Sequence, residues 1–456
     1  MANLLLLCAG ARDLREIAAA GIAARHSIFR HDYATGSLET LAACGADCGV
    51  DLGIRDPRDE VDRIIAKYRP RHIDAVISTD DYPGSTLAAI VARALRLPGV
   101  DPVADLLCQH KYFSRCAQAA AMPEAVPRFM RIGGCATDPA SADVRYPAFV
   151  KPVKSFFSIG ARRVDTPEQL RQALRDNPAS PQFLQPFAQM LEDETGLLLG
   201  PPLIVEDWLP GRQATLDGYV HRGRVRAMGV VDSLMFPGTI SFERFEYPSS
   251  LERPVQERMA EIAAKVVAAI GFDNGMFNIE FMADPKTGAI RIIEINPRMS
   301  SQFADLYEKV DGYNPYRVLV DLALGIEPRA CARRGRYPMA ASCVLRTFVD
   351  QLVLGVPSPS RIRRLEGLHP EIRVEILATA GRRLSEAMQD GNSFRYGLVN
   401  IGGNDRNDIL RTFDRCRELL TFEFEPAIRR ESRRAMPASR GPAAALPATG
   451  VGSYGS

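Results

Sequence analysis

Short apolar runs alternate with helical patterns over the first hundred residues, and this alternation limits the fold more than any other feature of the sequence. Residues 4–8 and 72–78 are predicted strands, and residues 61–68 between them carry apolar side chains at helical spacing. Such an alternation predicts an α/β fold, with a doubly wound parallel sheet over residues 1–105. Ligands of these sheets bind beyond the carboxyl ends of the strands, which indicates residues 78–81.

Two common nucleotide-binding motifs are missing from the chain. The segment after the first predicted strand reads Cys-Ala-Gly-Ala-Arg over residues 8–12, without the Gly-x-Gly-x-x-Gly pattern of dinucleotide sites. The chain also lacks the Gly-x-x-x-x-Gly-Lys-Ser/Thr pattern of phosphate-binding loops. A nucleotide bound by this protein therefore needs a different phosphate-binding arrangement.

Composition excludes several classes of partner. The formal net charge of +2 is too close to neutral to favour nucleic acid or an acidic membrane surface. The nine cysteines form no zinc-site spacing and no disulfide framework, so we expect reduced thiols in the cytoplasm. No apolar run is long enough for a transmembrane helix. Only seven of the 57 basic residues are lysines, so a lysine at a given position indicates a specific role there.

The rest of the chain divides by its texture. Short strands and turns over residues 106–330 predict a second domain with two lobes, about 115–204 and about 205–330. Residues 331–428 are predicted to form a further α/β segment. The last stretch, 429–456, is rich in Arg, Ala, Pro, Gly and Ser, and is predicted to be disordered.

A hairpin carries the sharpest chemical signal. Two strand-like runs, 276–282 and 289–296, flank a Pro/Gly turn at 285–288. Folding the runs about this turn places Glu280 opposite Glu294 on a polar face, and Ile293 with Ile295 on the apolar face. Facing carboxylates repel each other, and a divalent cation such as Mg²⁺ would offset that repulsion.

Neighbouring residues add to this interpretation, although alternatives stay open. Asn296 lies on the same face and offers a third oxygen, and Arg298 beyond it suits a phosphoryl group. The hairpin could instead present an exposed polar face, or the two carboxylates could share a proton. Asp232, Arg244 and Glu246 on predicted strands are further candidates for substrate contact, but solvated strand residues are the commoner case.

These residues resemble the ATP-grasp superfamily, in particular its carboxylate-amine ligases and biotin-carboxylase-like members, over roughly residues 1–330. The run Ile-Glu-Ile-Asn-Pro-Arg at 293–298 is similar to the family's metal motif, and Glu280 stands where its earlier metal glutamate belongs. The resemblance implies that Glu280, Glu294 and Asn296 bind Mg²⁺, with Mn²⁺ as a substitute, and that Arg298 is catalytic. It also implies that two lysines hold the ATP phosphates, Lys111 and Lys151.

The resemblance also implies an adenine site at the hinge between the two lobes. Residues 205–211 look like this hinge, which gives adenine-binding roles to Glu206, Trp208 and Leu209. Residues 183–187 are a competing hinge, but 205–211 runs directly into the next predicted strand.

The phosphate loop departs from the family pattern. After Lys151 the family usually has a glycine-rich loop, whereas residues 154–160 read Lys-Ser-Phe-Phe-Ser-Ile-Gly. Backbone amides of this loop could still bind phosphate, helped by the side chain of Ser155 or Ser158.

At the level of function, the resemblance implies a cytoplasmic, Mg-ATP-dependent ligase. It would activate a carboxylate as an acyl phosphate for attack by an amine, and release ADP and phosphate. The implied partners are a small-molecule carboxylate and an amine, without nucleic acid or membrane, and a homodimer is left open. The alternatives are a carboxyphosphate-forming or kinase-like enzyme, and an ATP-binding regulatory protein without turnover.

Overall fold

A computed structural model describes residues 1–32, 56–133, 143–155, 158–176, 181–329, 333–387 and 392–426. Met1–Glu425 form one compact unit. The predicted disordered tail, 429–456, lies outside the described residues, and the finer domain boundaries stay predictions. Within the described part of the chain, no helix is long and apolar enough to cross a membrane.

The amino-terminal segment forms a parallel sheet with helices on both faces. In chain order it comprises β1 (Asn3–Leu7), α1 (Ala11–Ala19), β2 (Ser27–His31), α2 (Pro57–Tyr68), β3 (Ala75–Ile77), α3 (Gly84–Ala94), α4 (Pro102–Gln109) and α5 (Lys111–Ala121). The strand order is β2-β1-β3, with parallel pairing. The side chains of β1 point alternately into two hydrophobic clusters, which explains its continuous apolar run. The predicted α/β fold class is confirmed.

A small antiparallel sheet follows. Its elements are β4 (Phe129–Ile132), β5 (Ala148–Pro152), β6 (Arg162–Val164), α6 (Pro167–Arg175), α7 (Pro181–Thr195) and β7 (Leu203–Asp207). The strand order is β4-β7-β5-β6. Because β7 lies between β4 and β5, this small sheet places Glu206 of β7 next to β5, which carries Lys151.

The largest layer is an eight-stranded sheet with antiparallel neighbours. Its first part comprises β8 (Arg212–His221), β9 (Arg224–Met235), β10 (Phe242–Tyr247), α8 (Arg253–Ile270), β11 (Gly275–Ala283) and β12 (Ile290–Asn296). Strands β8, β9 and β10 form an antiparallel meander, and α8 ends at Gly271 in the left-handed conformation. Helix α8 packs on the apolar face of β11, where Phe277, Ile279 and Phe281 are fully buried.

The carboxy-terminal segment extends the same sheet. Its elements are α9 (Ala304–Asp311), α10 (Pro315–Ala323), β13 (Met339–Thr347), β14 (Val353–Gly355), α11 (Pro359–Leu368), β15 (Ile372–Ile376), β16 (Phe394–Gly403), α12 (Arg406–Leu419) and β17 (Glu423–Phe424). The full strand order is β12-β11-β8-β9-β10-β13-β16-β15. Since β13 pairs directly with β10, the predicted boundary near residue 330 falls between strands of one continuous sheet.

Candidate functional site

The two glutamates of the hairpin lie directly opposite each other. In the antiparallel register of β11 and β12, Glu280 pairs with Glu294 and Asn278 with Asn296. Burial and the neighbouring Glu294 raise the pKa of Glu280 to about 8. Burial also acts to raise the pKa of Glu294, but Lys111 and Lys151 outweigh it, so that this pKa is lowered. The predicted register is confirmed, and the pair carries a strong electrostatic conflict.

A bulge interrupts the hairpin immediately after this pair. The next paired residues are Phe281 and Ile292, so Ile293 has no partner on β11. Its carbonyl oxygen instead accepts from Lys151 Nζ at 3.2 Å and from Arg115 Nη2 at 2.6 Å. The predicted position of Ile293 on the apolar face is wrong, because the bulge gives that place to Ile292, which is fully buried.

The two predicted lysines reach the hairpin from different elements. Lys111 begins α5, and its Nζ lies 3.5 Å from Glu294 Oε2 and donates to the carbonyl of Ser155 at 3.1 Å. Lys151 on β5 is buried, with its Nζ 3.0 Å from Glu206 Oε2. Burial lowers the pKa of Lys151. Both ammonium groups therefore lie beside carboxylates on the floor of one site.

Glu206 is a fixed anion beneath the site. Arg115 Nε donates to its Oε1 at 2.7 Å and Arg115 Nη2 to its Oε2 at 3.1 Å, while Lys151 approaches the same carboxylate. Burial acts to raise the pKa of Glu206, but the two cations outweigh it and hold the pKa at about 2. Both oxygens of Glu206 accept from these cations, and its predicted adenine-binding role stays a prediction.

A chain of buried hydrogen bonds orients Asn296. Its Nδ2 donates to Asn278 Oδ1 at 3.2 Å, and Asn278 Nδ2 donates to Asp217 Oδ1 at 2.8 Å. The hydroxyl of Tyr307 donates to the other Asp217 oxygen at 2.9 Å. With its amide nitrogen used in this way, Asn296 turns Oδ1 towards Arg298, whose Nη2 lies 3.5 Å away.

All ten predicted site residues line one cavity of about 870 Å³. They are Lys111, Lys151, Ser158, Glu206, Trp208, Leu209, Glu280, Glu294, Asn296 and Arg298. Trp208 packs at 5.9 Å from the Phe149 ring, and the Arg163 guanidinium lies 5.1 Å from the Trp208 ring. The competing hinge falls inside helix α7, where Leu184 and Phe187 belong to a hydrophobic cluster. The geometry therefore agrees with a hinge at 205–211.

Residues 144–306, which include most of these side chains, match the family described as the ATP-grasp domain. The chain contains an ATP-grasp domain. It is 30% identical over 142 residues to the carbamoyl phosphate synthase large chain of Thermotoga neapolitana, a match covering 31% of this chain and 12% of that protein. The large chain from Thermus thermophilus is also 30% identical, over 145 residues, covering 31% of this chain and 14% of that protein. The matches thus span a small part of these relatives.

Solved structures share the fold over almost the whole chain. The L-amino acid ligase from Bacillus licheniformis superposes with a TM-score of 0.68 at 14% identity, covering 93% of this chain and 99% of that one. The biotin carboxylase domain of the Hydrogenobacter thermophilus 2-oxoglutarate carboxylase, in complex with MgADP and bicarbonate, gives a TM-score of 0.64 at 13% identity, covering 92% and 90%. At these identities the likeness shows the fold alone.

The amino-terminal sheet contributes to the same cavity. Thr79 and Asp81, just beyond the carboxyl end of β3, line it, as the doubly wound sheet predicted. Asp81 Oδ1 lies 3.8 Å from Arg298 Nε. Burial acts to raise the pKa of Asp81, but Lys154 and Arg298 outweigh it and the pKa is lowered. The carboxylate of Asp81 therefore stays ionised between cations.

The donor set of the ATP-grasp domain fits a hard divalent cation. Glu280 and Glu294 supply carboxylate oxygens and Asn296 an amide oxygen, which are the ligand types that Mg²⁺ takes together with phosphate oxygens. Gln213 Nε2 donates to Glu280 Oε2 at 2.8 Å and steadies that ligand. Among the described residues, no group of three His, Cys, Asp or Glu side chains could hold a metal ion. A cation here would thus depend on Asn296 and on a bound phosphate.

Sequence reasoning missed Arg115, which is 1% exposed and joins Glu206 to the hairpin. A signal was present, since Lys111, Ser114, Arg115 and Gln118 form a polar stripe at helical spacing on α5. Such a stripe on a helix that packs inward indicates a polar site instead of a solvated face.

The candidates on the meander strands also differ from expectation. Asp232 and Glu246 are only 3% and 1% exposed, so the expectation of solvated residues is wrong. Arg244 and Arg406 pair with Glu246, and Arg212 pairs with Asp232. Asp232 lines the cavity, but its oxygens also accept from Ser249 and Ser250, so its role is to shape the wall.

Proposed function

We propose that this protein is a Mg-ATP-dependent carboxylate-amine ligase, which releases ADP and phosphate. The observation that carries the proposal is the pair Glu280 and Glu294, held face to face in a cavity that also contains Lys111, Lys151 and Arg298. A pair of facing carboxylates beside three cations suits a metal-bound polyphosphate, because the charges of both partners are then matched.

The nucleotide would lie between the hinge and the hairpin. Trp208 and Leu209 line the hinge end, where an adenine ring can pack, and the two lysines lie towards the hairpin, where the phosphates would bind. Mg²⁺ or Mn²⁺ held by Glu280, Glu294 and Asn296 would neutralise phosphate charge. This assignment leaves the end of the cavity beyond Arg298 for the acid.

The proposed chemistry needs no nucleophile from the protein. A carboxylate oxygen of the acid attacks the γ-phosphorus, the β–γ bridging P–O bond breaks, and ADP leaves with that bond's electrons. The amine nitrogen then attacks the acyl carbon, a C–N bond forms, the C–O bond to phosphate breaks, and the amine releases a proton. Arg298 would stabilise the charge on the transferred group at both steps.

The wall of the cavity favours an organic acid over bicarbonate as the activated group. Val344 of β13 pairs with Leu398 of β16, and both line the cavity beside Phe242 and Phe245. An apolar wall of this size offers nothing to bicarbonate, whereas it can bury the apolar body of a larger carboxylate. The carboxyphosphate-forming alternative is therefore less well supported than the ligase. Because the L-amino acid ligase from Bacillus licheniformis shares this fold, amino acids are the first acids to try.

The test is phosphate release from Mg-ATP, screened with pools of carboxylates and amines. We expect release that requires both an acid and an amine, and a loss of at least ~10²-fold in Glu294→Gln, because several kcal/mol of charge stabilisation would vanish. Glu257→Gln, on the exposed face of α8, is the matched control.

Other outcomes of the screen would select among the alternatives. Release with an acid alone, and a phosphorylated product, would indicate a kinase. Tight binding of Mg-ATP without turnover in any pool would indicate a regulatory protein and overturn the ligase. Light scattering on the same preparation would test the homodimer.

A further inference from the structure

Lys154 is a buried cation that the proposed reaction does not yet use. It lies just beyond β5, lines the cavity and is only 2% exposed. Its Nζ donates to Gln109 Oε1 at 2.6 Å and lies 5.0 Å from the ring of Tyr82 and 5.5 Å from the ring of Phe187. One neutral amide and two aromatic faces therefore surround this ammonium group.

Gln109 cannot neutralise the charge of Lys154. Its Nε2 donates to Ser85 Oγ, Thr86 Oγ1 and Asp105 Oδ2 at 2.6–2.9 Å, which leaves only Oε1 to face the lysine. Within the described part of the chain, Lys154 has no carboxylate within ion-pair distance. Burial lowers its pKa accordingly. A buried ammonium without a paired anion is costly, and an anionic ligand would relieve that cost.

Lys154 belongs to a cluster of cations at one end of the cavity. Lys111 donates to the carbonyl of Ser155, the residue after Lys154, so the two lysines approach the cavity side by side. Arg298 lies beside Asp81, and the charge of Lys154 also acts on that carboxylate. The charges of Lys154, Arg298 and Lys111 all act on the carboxylate of Asp81, so cations from three parts of the fold meet at this end of the cavity.

The loop that begins at Lys154 is poor in glycine. Residues 154–160 contain one glycine, Gly160, where a loop that binds phosphate through backbone amides needs several. A side-chain cation at the start of the loop can supply the contact that such amides would otherwise make.

We propose that Lys154 is a third phosphate-binding lysine, which contacts the γ-phosphoryl group of ATP. The proposal rests on the ligase function only to the extent that Mg-ATP binds in this cavity. A rival ligand is the carboxylate of the acid substrate. The phosphoryl group is favoured because Lys154 lies next to Lys111 and on the same strand-loop unit as Lys151.

The experiment compares ATP with ADP in the variant Lys154→Met. Binding of ADP and of a non-hydrolysable ATP analogue, both with Mg²⁺, is measured through the fluorescence of the single tryptophan, Trp208, and by calorimetry. We expect Lys154→Met to weaken the binding of the ATP analogue by ~10–100-fold, as for the loss of one charge-assisted contact. The binding of ADP should weaken by less than about threefold. Lys265→Met is the control, since Lys265 is exposed and pairs with Glu261.

Thermal unfolding separates this role from a structural one. Because Lys154 is a buried charge without an ion-pair partner among the described residues, the Lys154→Met variant should fold and be as stable as the native protein. A clear loss of stability with unchanged nucleotide binding would overturn the proposal, as would equal weakening of ADP and the analogue. An effect confined to the KM of the acid would assign Lys154 to the acid instead and would also overturn it.

The two proposals fail in different ways. If the native protein binds no Mg-ATP, the ligase proposal and the Lys154 proposal both fall. If the native protein binds Mg-ATP and Lys154→Met binds the analogue equally well, only the Lys154 proposal falls.

Discussion

At the scale of single residues, the site holds two facing carboxylates whose simultaneous ionisation is unfavourable. Glu280 and Glu294 repel each other, and burial raises the pKa of Glu280 to about 8. Gln213 donates to Glu280, and Lys111 lies beside Glu294. Each of these groups therefore contacts one carboxylate of the pair. A bound divalent cation would offset the cost of ionising both carboxylates, because it favours the ionised form of each.

The substitution Glu280→Gln should separate stability from function. Since the folded-state pKa of Glu280 is raised, its ionisation opposes folding more strongly as the pH rises from about 4.3 towards 8. At pH 8 we expect the variant without ligand to be at least as stable as the native protein. Its free energy of unfolding should rise by up to ~1–3 kcal/mol.

The variant should at the same time lose the Mg²⁺-dependent change in Trp208 fluorescence. Denaturant unfolding measures the stability of the variant, and Trp208 fluorescence with and without Mg-ATP measures its response to Mg²⁺. A variant that is clearly less stable and still responds to Mg²⁺ would contradict the proposed role of Glu280.

At the scale of elements, one glycine sets the path of the hinge. Gly211 lies between β7 and β8 with φ of +132°, a region that side chains avoid. A Cβ there would clash with the carbonyl oxygen of Ala283 at the end of β11. The hinge therefore passes directly against the hairpin that carries Glu280, and no larger residue can follow the same path.

Gly211→Ala should cost about 2–4 kcal/mol of stability and weaken nucleotide binding, because the hinge must move away from β11. Gly238→Ala is a matched control, since Gly238 has φ of +74° and open space around its Cα. The control should lose only about 1 kcal/mol, from backbone strain alone. Equal losses in both variants, measured by denaturant unfolding, would show that the clash is unimportant.

At the scale of the whole molecule, Glu206 ties three parts of the fold together. Arg115 on α5 and Lys151 on β5 both bind this residue of β7, and both also donate to the carbonyl of Ile293 on β12. The small sheet, helix α5 and the large sheet thus meet at one buried group of charges, which also forms the floor of the cavity.

Glu206→Gln should destabilise the protein by ~3–5 kcal/mol at neutral pH, because it leaves two buried cations without their anion. The folded-state pKa of Glu206 is lowered to about 2, so its contribution is full above its unfolded pKa of about 4.3 and is lost as the pH falls towards 2. The stability gap between variant and native protein should therefore narrow between about pH 4.3 and pH 3. Unfolding curves at several pH values test this, and a gap that is constant with pH would contradict it.

The sequence by itself determined those parts of the site that depend on neighbours along the chain. The short turn between their strands brings Glu280 close to Glu294, since a turn sets the approximate register of its own hairpin. The bulge at Ile293 then makes the two glutamates direct partners. Lys151 stands in an apolar strand, and a resemblance to ATP-grasp proteins was visible in six consecutive residues, 293–298.

Only the tertiary structure decided which distant residues meet. Arg115 and Glu206 are 91 positions apart, and Lys111 meets Glu294 across two separate elements, so no local pattern specifies either contact. The bulge at Ile293 was also hidden, because its carbonyl is stabilised by cations from other parts of the fold. The same holds for Lys154, whose unpaired charge becomes apparent only when the packing of Gln109, Tyr82 and Phe187 around it is known.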